Sequence, residues 1–118
     1  MKVLTNRSER PCILYPVGYT LGVLEVLQTT SFRSWLDKLR DRRAQARIAA
    51  RILALESGHF GDWKAIDGTV SELRVQYGPG YRVYFMRRGQ TVVILLAGGD
   101  KATQKRDIER ARRLAETI

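Results

Sequence analysis

Six consecutive apolar residues at 92–97, VVILLA, run straight into Gly98 and Gly99 and set the strongest limit on the fold. The run is far short of the roughly 18 apolar residues that a membrane span needs. Bounded by glycines, and with no polar residue alternating through it, it reads as a strand that must be covered on both faces. A chain of 118 residues can supply that cover as one domain with a real core.

The flanking patterns predict the other elements. Residues 24–29 (LEVLQT) alternate and predict a short strand. Thr30 or Ser31 is placed to cap a helix, and Phe32, Trp35, Leu36 and Leu39 follow at i, i+3, i+4 and i+7. Asp41 restarts a second helix with a stripe of Ile48, Ile52 and Leu55, and Gly58 ends it. The short joint between the two predicts a helical hairpin. Residues 59–69 read as a polar loop. Strands are predicted over 70–77 and 81–88, joined by Gly78-Pro79-Gly80, with 92–97 completing an antiparallel meander. Gly98 and Gly99 should break the last strand, and Asp100 should cap a final helix over 101–116. Residues 1–22 show no period and predict a loosely ordered leader or extension, leaving 23–118 as the domain.

Lys and Arg total 21 against 12 acids, a formal charge of +9. That excess on a small domain favours a polyanion such as nucleic acid. Cys12 is the lone cysteine, so no internal disulfide forms, and no Cys/His cluster points to zinc. The partly apolar stretch at 12–26 is interrupted by Pro16, Gly18 and Gly22 and lacks a small-residue cleavage site, so export is rejected. A cytoplasmic protein with no membrane partner, no metal and no cofactor is expected. Paired carboxylates and a Ser-His-Asp set are missing. His59 reads as a turn residue, Trp63 as a plug at the core edge and Asp100 as a cap.

The chemistry-bearing residues gather on the 70–88 hairpin. With Tyr77 opposite Tyr81, Val75 faces Val83 and Leu73 faces Phe85 on the core side. The same register sets Arg74 opposite Tyr84 and Gln76 opposite Arg82 on the other, forming an exposed patch. Lys101 follows the last strand, where Gly98 and Gly99 would let the backbone approach a ligand and helix-start amides would favour an anion. RNA cleavage by an internal 2′-hydroxyl needs fixed donors for the charge that builds on the phosphate. The planar fork of arginine holds two phosphate oxygens, and lysine adds a point charge. Arg82, Arg74 and Lys101 are therefore the catalytic candidates. Tyr84, Gln76, Lys64, Arg42 and Arg43 are the RNA-binding ones, with Tyr84 stacking on a base or donating a hydrogen bond. Arg47 and Arg51 share the basic face of the second helix.

Three segments, TTSFRSWLDKLRDRRAQARI (29–48), VSELRVQYGPGYRVYF (70–85) and VVILLAGGDKATQKRDI (92–108), together resemble HigB-like toxins of the RelE/ParE superfamily. The likeness is to its phage Gp49-like branch and covers about residues 24–116. It implies an α+β fold, with an N-terminal strand and helical hairpin packed on a three- to four-stranded, mainly antiparallel sheet and a C-terminal helix. It implies a type II toxin that cuts messenger RNA on the ribosome without metal. The toxin would be neutralised by a HigA-like helix-turn-helix antitoxin and reach operator DNA only through it. In that resemblance Arg82, in GYR, matches the catalytic arginine. Arg74, in ELR, and Lys101, in GGDK, stand near basic positions of the family. Glu72 stands where some ribonuclease members carry another basic residue, and no His or Tyr occurs over 104–108. That departure keeps open a non-enzymatic toxin that inhibits DNA gyrase or another protein. A plain nucleic-acid-binding module accounts for the charge but not for the ordered motif.

Overall fold

The computed structural model describes the backbone of residues 3–5 and 11–16 and the whole of residues 23–118. In chain order the elements are β1 (Val3–Thr5), β2 (Pro11–Pro16), β3 (Glu25–Thr29), α1 (Thr30–Lys38) and α2 (Arg42–Glu56). There follow β4 (Trp63–Ala65), β5 (Ser71–Val75), β6 (Tyr81–Arg88), β7 (Val92–Asp100), a 3-10 turn (Lys101–Thr103) and α3 (Gln104–Thr117). The protein is α+β. Strands β3 to β7 form a mixed sheet that β2 and β1 extend, in the order β1-β2-β3-β7-β6-β5-β4. Among the described residues only the β3–β7 pair is parallel. The sheet is thus mainly antiparallel, as expected, but larger than three or four strands. Strand β4 lay hidden in the predicted loop because it is three residues long and none of its residues is buried, which leaves no alternation to read. Much of the expected leader over 1–22 lies outside the described residues, and β1 and β2 fall within the remainder. Among the described residues no helix is long and apolar enough to cross a membrane.

The apolar run sits where its composition demands. Val93 and Leu95 join the core under α1 and α2, with Phe32, Leu36, Ile48, Ile52, Leu73, Val83 and Phe85. Ile94 and Leu96 turn the other way, to Leu27, Tyr84 and Ala111 under α3. Each large aliphatic chain buried in this way stabilises the fold by roughly 1.5–3 kcal/mol. A register shift at Tyr84/Phe85 sets Tyr84 opposite Ala97 but Phe85 opposite Leu95. This bulge lets Leu96 and Ala97 both serve the α3 side.

Helix boundaries follow side-chain capping. Thr29, rather than Thr30 or Ser31, caps α1. Its Oγ1 accepts from the Phe32 amide at 3.0 Å and donates to the Leu96 carbonyl at 2.7 Å, welding helix start to sheet. Asp41 caps α2 through the amides of Arg43 and Ala44.

Gly98 and Gly99 do not break β7, which runs on to Asp100. Nor do they open the backbone to a ligand. A Cβ on Gly98 would lie 2.1 Å from the Trp35 ring, and one on Gly99 would lie 1.9 Å from Asp107 Oδ2. The protein itself fills both sides, with α1 pressing from one layer and α3 from the other.

Candidate functional site

The 70–88 hairpin keeps the predicted faces but not the predicted register. Val75 pairs with Tyr81, Leu73 with Val83, Arg74 with Arg82 and Glu72 with Tyr84. The shift is two residues, so every side chain stays on its expected face. Its cause is a longer connection than the glycines alone suggest. The Tyr77 amide donates to the Val75 carbonyl and the Gly80 amide to the Tyr77 carbonyl, while Gly78 and Gly80 take positive φ of 56° and 83°. Gln76 and Tyr77 thereby belong to the loop, and Gln76 does not oppose Arg82.

On the α3 side this register lines up a polar row across the sheet. Arg74 lies opposite Arg82, and Arg82 opposite Gly99. Asp62 extends the row, since its carbonyl accepts from the Arg74 amide at 2.9 Å. At the loop end the row opens into a groove of about 370 Å³ walled by Gln76, Tyr77, the Gly78–Pro79–Gly80 turn, Arg82 and Lys101. Gly80 stands between the two cations, and a Cβ there would lie 3.5 Å from Arg82 Nη1 and 3.6 Å from Lys101 Cβ. The Lys101 amide donates to the Gly80 carbonyl at 2.8 Å, which ties the turn to the end of β7. Two amides of the helix start expected to favour an anion there are therefore already engaged. The Lys101 amide serves Gly80, and the Ala102 amide serves Asp100 Oδ1 at 2.9 Å.

The candidate residues separate by environment. Arg82 is buried against the groove wall, with Nη1 donating to the Tyr81 carbonyl at 3.1 Å. Lys101 is exposed at the rim. Arg74 shares the row but does not line the groove. Its Nη2 lies 2.8 Å from Asp62 Oδ1 and its Nε donates to the same oxygen at 3.1 Å. Gln76 donates to Asp62 Oδ2 at 3.2 Å while also lining the groove. The hydrogen bond from Gln76, and then the guanidinium of Arg74, hold the Asp62 carboxyl below its usual range.

Tyr84 overturns its expected role. Its ring is fully buried in the core under α3, so it offers no stacking face. Burial first, and the nearby Glu72 carboxylate second, push its hydroxyl up to about 12. Gln104 tempers that rise, yet the hydroxyl has no hydrogen bond of good geometry. The expected exposed patch of two guanidiniums, an amide and a phenol is thus a half-buried row, because α3 covers part of that face.

Lys64 is exposed on β4, across from Glu72 and outside the groove. Arg42 and Arg43 are exposed on the first turn of α2, in the other layer, and are not brought together with Arg82. Arg42 instead edges a separate, more apolar cleft of about 660 Å³ between α1 and α2. Arg51 serves structure, donating to the carbonyls of Arg74, Phe60 and Asp62. Sequence reasoning missed Tyr77, a groove wall over which the Arg47 guanidinium lies 4.7 Å from the ring centre. Its place just before the glycine turn was the available signal. Among the described residues no three His, Cys, Asp or Glu side chains gather as metal ligands.

The family model described as Phage derived protein Gp49-like matches residues 34–116, which contain every candidate site residue. An uncharacterized protein of Haemophilus influenzae is 46% identical over 95 residues, covering 80% of this chain and 96% of the relative. No solved structure matches the chain.

Proposed function

Because the chain belongs to the phage-derived Gp49-like family, a family of RelE/ParE-type toxins, we propose that it is a toxin that cuts messenger RNA on the ribosome. The observation that carries this reading is the placement of Arg82 and Lys101 on either side of Gly80, facing one small groove. A phosphodiester seated there meets a planar guanidinium held by the wall and a mobile ammonium at the rim. Both act on the non-bridging oxygens, where charge grows as the 2′-hydroxyl attacks. Gln76 adds an amide donor beside them. Arg74 lies one strand behind Arg82 and reinforces the positive potential, although Asp62 neutralises part of it. Breaking the P–O5′ bond leaves a 2′,3′-cyclic phosphate and a 5′-hydroxyl. In this scheme fixed cations take the charge-stabilising part that a metal ion has in other nucleases. The fold is read as RelE/ParE-like, and the partner as a HigA-like helix-turn-helix antitoxin that blocks the toxin and carries it to operator DNA.

Arg82→Ala tests the reading. Losing one such donor costs about 10²–10³-fold in rate. Cells expressing the variant should therefore grow, and mapped transcript 5′ ends should lose the cuts inside translated codons. The purified variant should melt below the parent, since the change leaves Glu72 buried without its charge partner, and the melt shows whether it still folds. Undiminished toxicity with a folded Arg82→Ala would sink the site. DNA breaks with intact messages on induction of the parent chain would favour the gyrase-inhibiting alternative.

A further inference from the structure

Behind the groove lies a carboxylate that the proposed chemistry leaves unused. Glu72 on β5 is buried, across from Tyr84 and on the same face as Arg82. Its Oε1 accepts from Gln104 Nε2 of α3 at 3.3 Å and lies 4.0 Å from Arg82 Nε. The side chains of Arg82 and Glu72 are only 10% and 5% exposed. Two charges so far out of water are tolerable only as partners, since removing one strands the other. Arg82 Nε has no hydrogen-bond acceptor, so Glu72 is the one anion set against that edge of the guanidinium among the described residues.

Glu72 does not line the groove, whereas Arg82 does. The carboxylate therefore reaches a substrate only through the guanidinium in front of it. With the Nε edge turned to Glu72 and one Nη1 proton on the Tyr81 carbonyl, the remaining N–H groups are those left for a phosphate. We propose that Glu72 is a positioning residue, steadied by Gln104, that fixes the direction in which Arg82 presents its free donors. The claim rests on the reading of the groove as a phosphate site, and it explains why an acid stands in a site built to hold an anion. The negative charge lies behind the arginine and aims it, where another basic residue would push it away.

The test reads geometry and activity separately. In the free protein, the Arg82 Nε–H resonance in a nitrogen–proton spectrum should shift in Glu72→Gln, and its exchange with solvent should speed up about tenfold as the charge partner is lost. Gln104→Ala should move the same resonance in the same direction by less. On programmed ribosomes, Glu72→Gln should lower kcat about tenfold while KM stays within about twofold, because binding is kept and aim is lost. Glu72→Asp, which keeps the charge, should recover part of that rate. Should Glu72→Gln fail to fold, Gln104→Ala carries the spectroscopic test alone. An Arg82 resonance unmoved in the folded variants overturns the proposal. A resonance that moves while the parent chain cuts no RNA retires the nuclease reading and leaves the aiming of Arg82 intact.

Discussion

The two faces of the sheet are made by the same strands and treat polarity in opposite ways. Under α1 and α2, β5 and β6 present Leu73, Val75, Tyr81, Val83 and Phe85, and the face closes as an apolar layer. Under α3, the alternate residues are Glu72, Arg74, Arg82 and Tyr84, and only part of the face is sealed. Along that second face the sheet passes from a dry core at Tyr84, through a buried charge pair at Glu72 and Arg82, to an open groove at Lys101. The contrast teaches that the site is more than a loop, although the Gln76–Gly80 connection walls much of it. It is the unsealed end of one face, held by the packing of the other.

The largest expected effect lies on the sealed face. Leu73→Ala removes a fully buried side chain from the centre of that layer and should cost about 2–5 kcal/mol in urea unfolding. Cleavage by the fraction that remains folded should be little changed, and a comparable loss from a groove substitution would break the contrast. Gly98→Ala drives a methyl into Trp35 on the same face and should cost about 1–3 kcal/mol, read by thermal melt. Lys101→Ala is next, with an expected fall of about tenfold in single-turnover cleavage from the loss of one mobile charge. Its stability should be unaltered, since the side chain is exposed.

The smallest effect tests how dry the α3 face is. The Tyr84 hydroxyl has an ordinary value of 10.0 and is pushed up to about 12, burial being the leading cause. A group raised in this way adds stability that is whole below about pH 10 and is lost as pH climbs through about 12. Tyr84 should be the last tyrosine to ionise in an ultraviolet titration, and Tyr84→Phe should remove the alkaline loss. At neutral pH the same variant should be neutral or gain up to about 1 kcal/mol, because it deletes a buried hydroxyl without a partner. Titration of Tyr84 near pH 10 would mean that water reaches that layer.

The difference between the faces also governs what could be read from sequence. Period-two patterning assigns Leu73, Val75, Val83 and Phe85 to one side whichever of two registers is chosen, so the core was legible despite a slip of two. The groove depends on things that patterning does not carry. The length of the Gln76–Gly80 connection decides that Arg74, and not Gln76, stands opposite Arg82. The reach of α3 decides that Tyr84 is covered and Lys101 is not. Strand β4 gave no signal because it is three residues long and none of them is buried. Arg82 and Lys101 could be named in advance as residue types in a motif. Their meeting at Gly80 is a tertiary fact, set by a hydrogen bond between loop and strand end.

The paired glycines at the end of β7 have a mechanical consequence. An indole bears on Gly98 from one layer and a carboxylate bears on Gly99 from the other, so the strand end has no slack in either direction. Lys101 begins one residue further on and inherits its anchorage from two helices that never meet at the groove. A side chain added at either glycine would have to displace a helix before this strand end could keep its place.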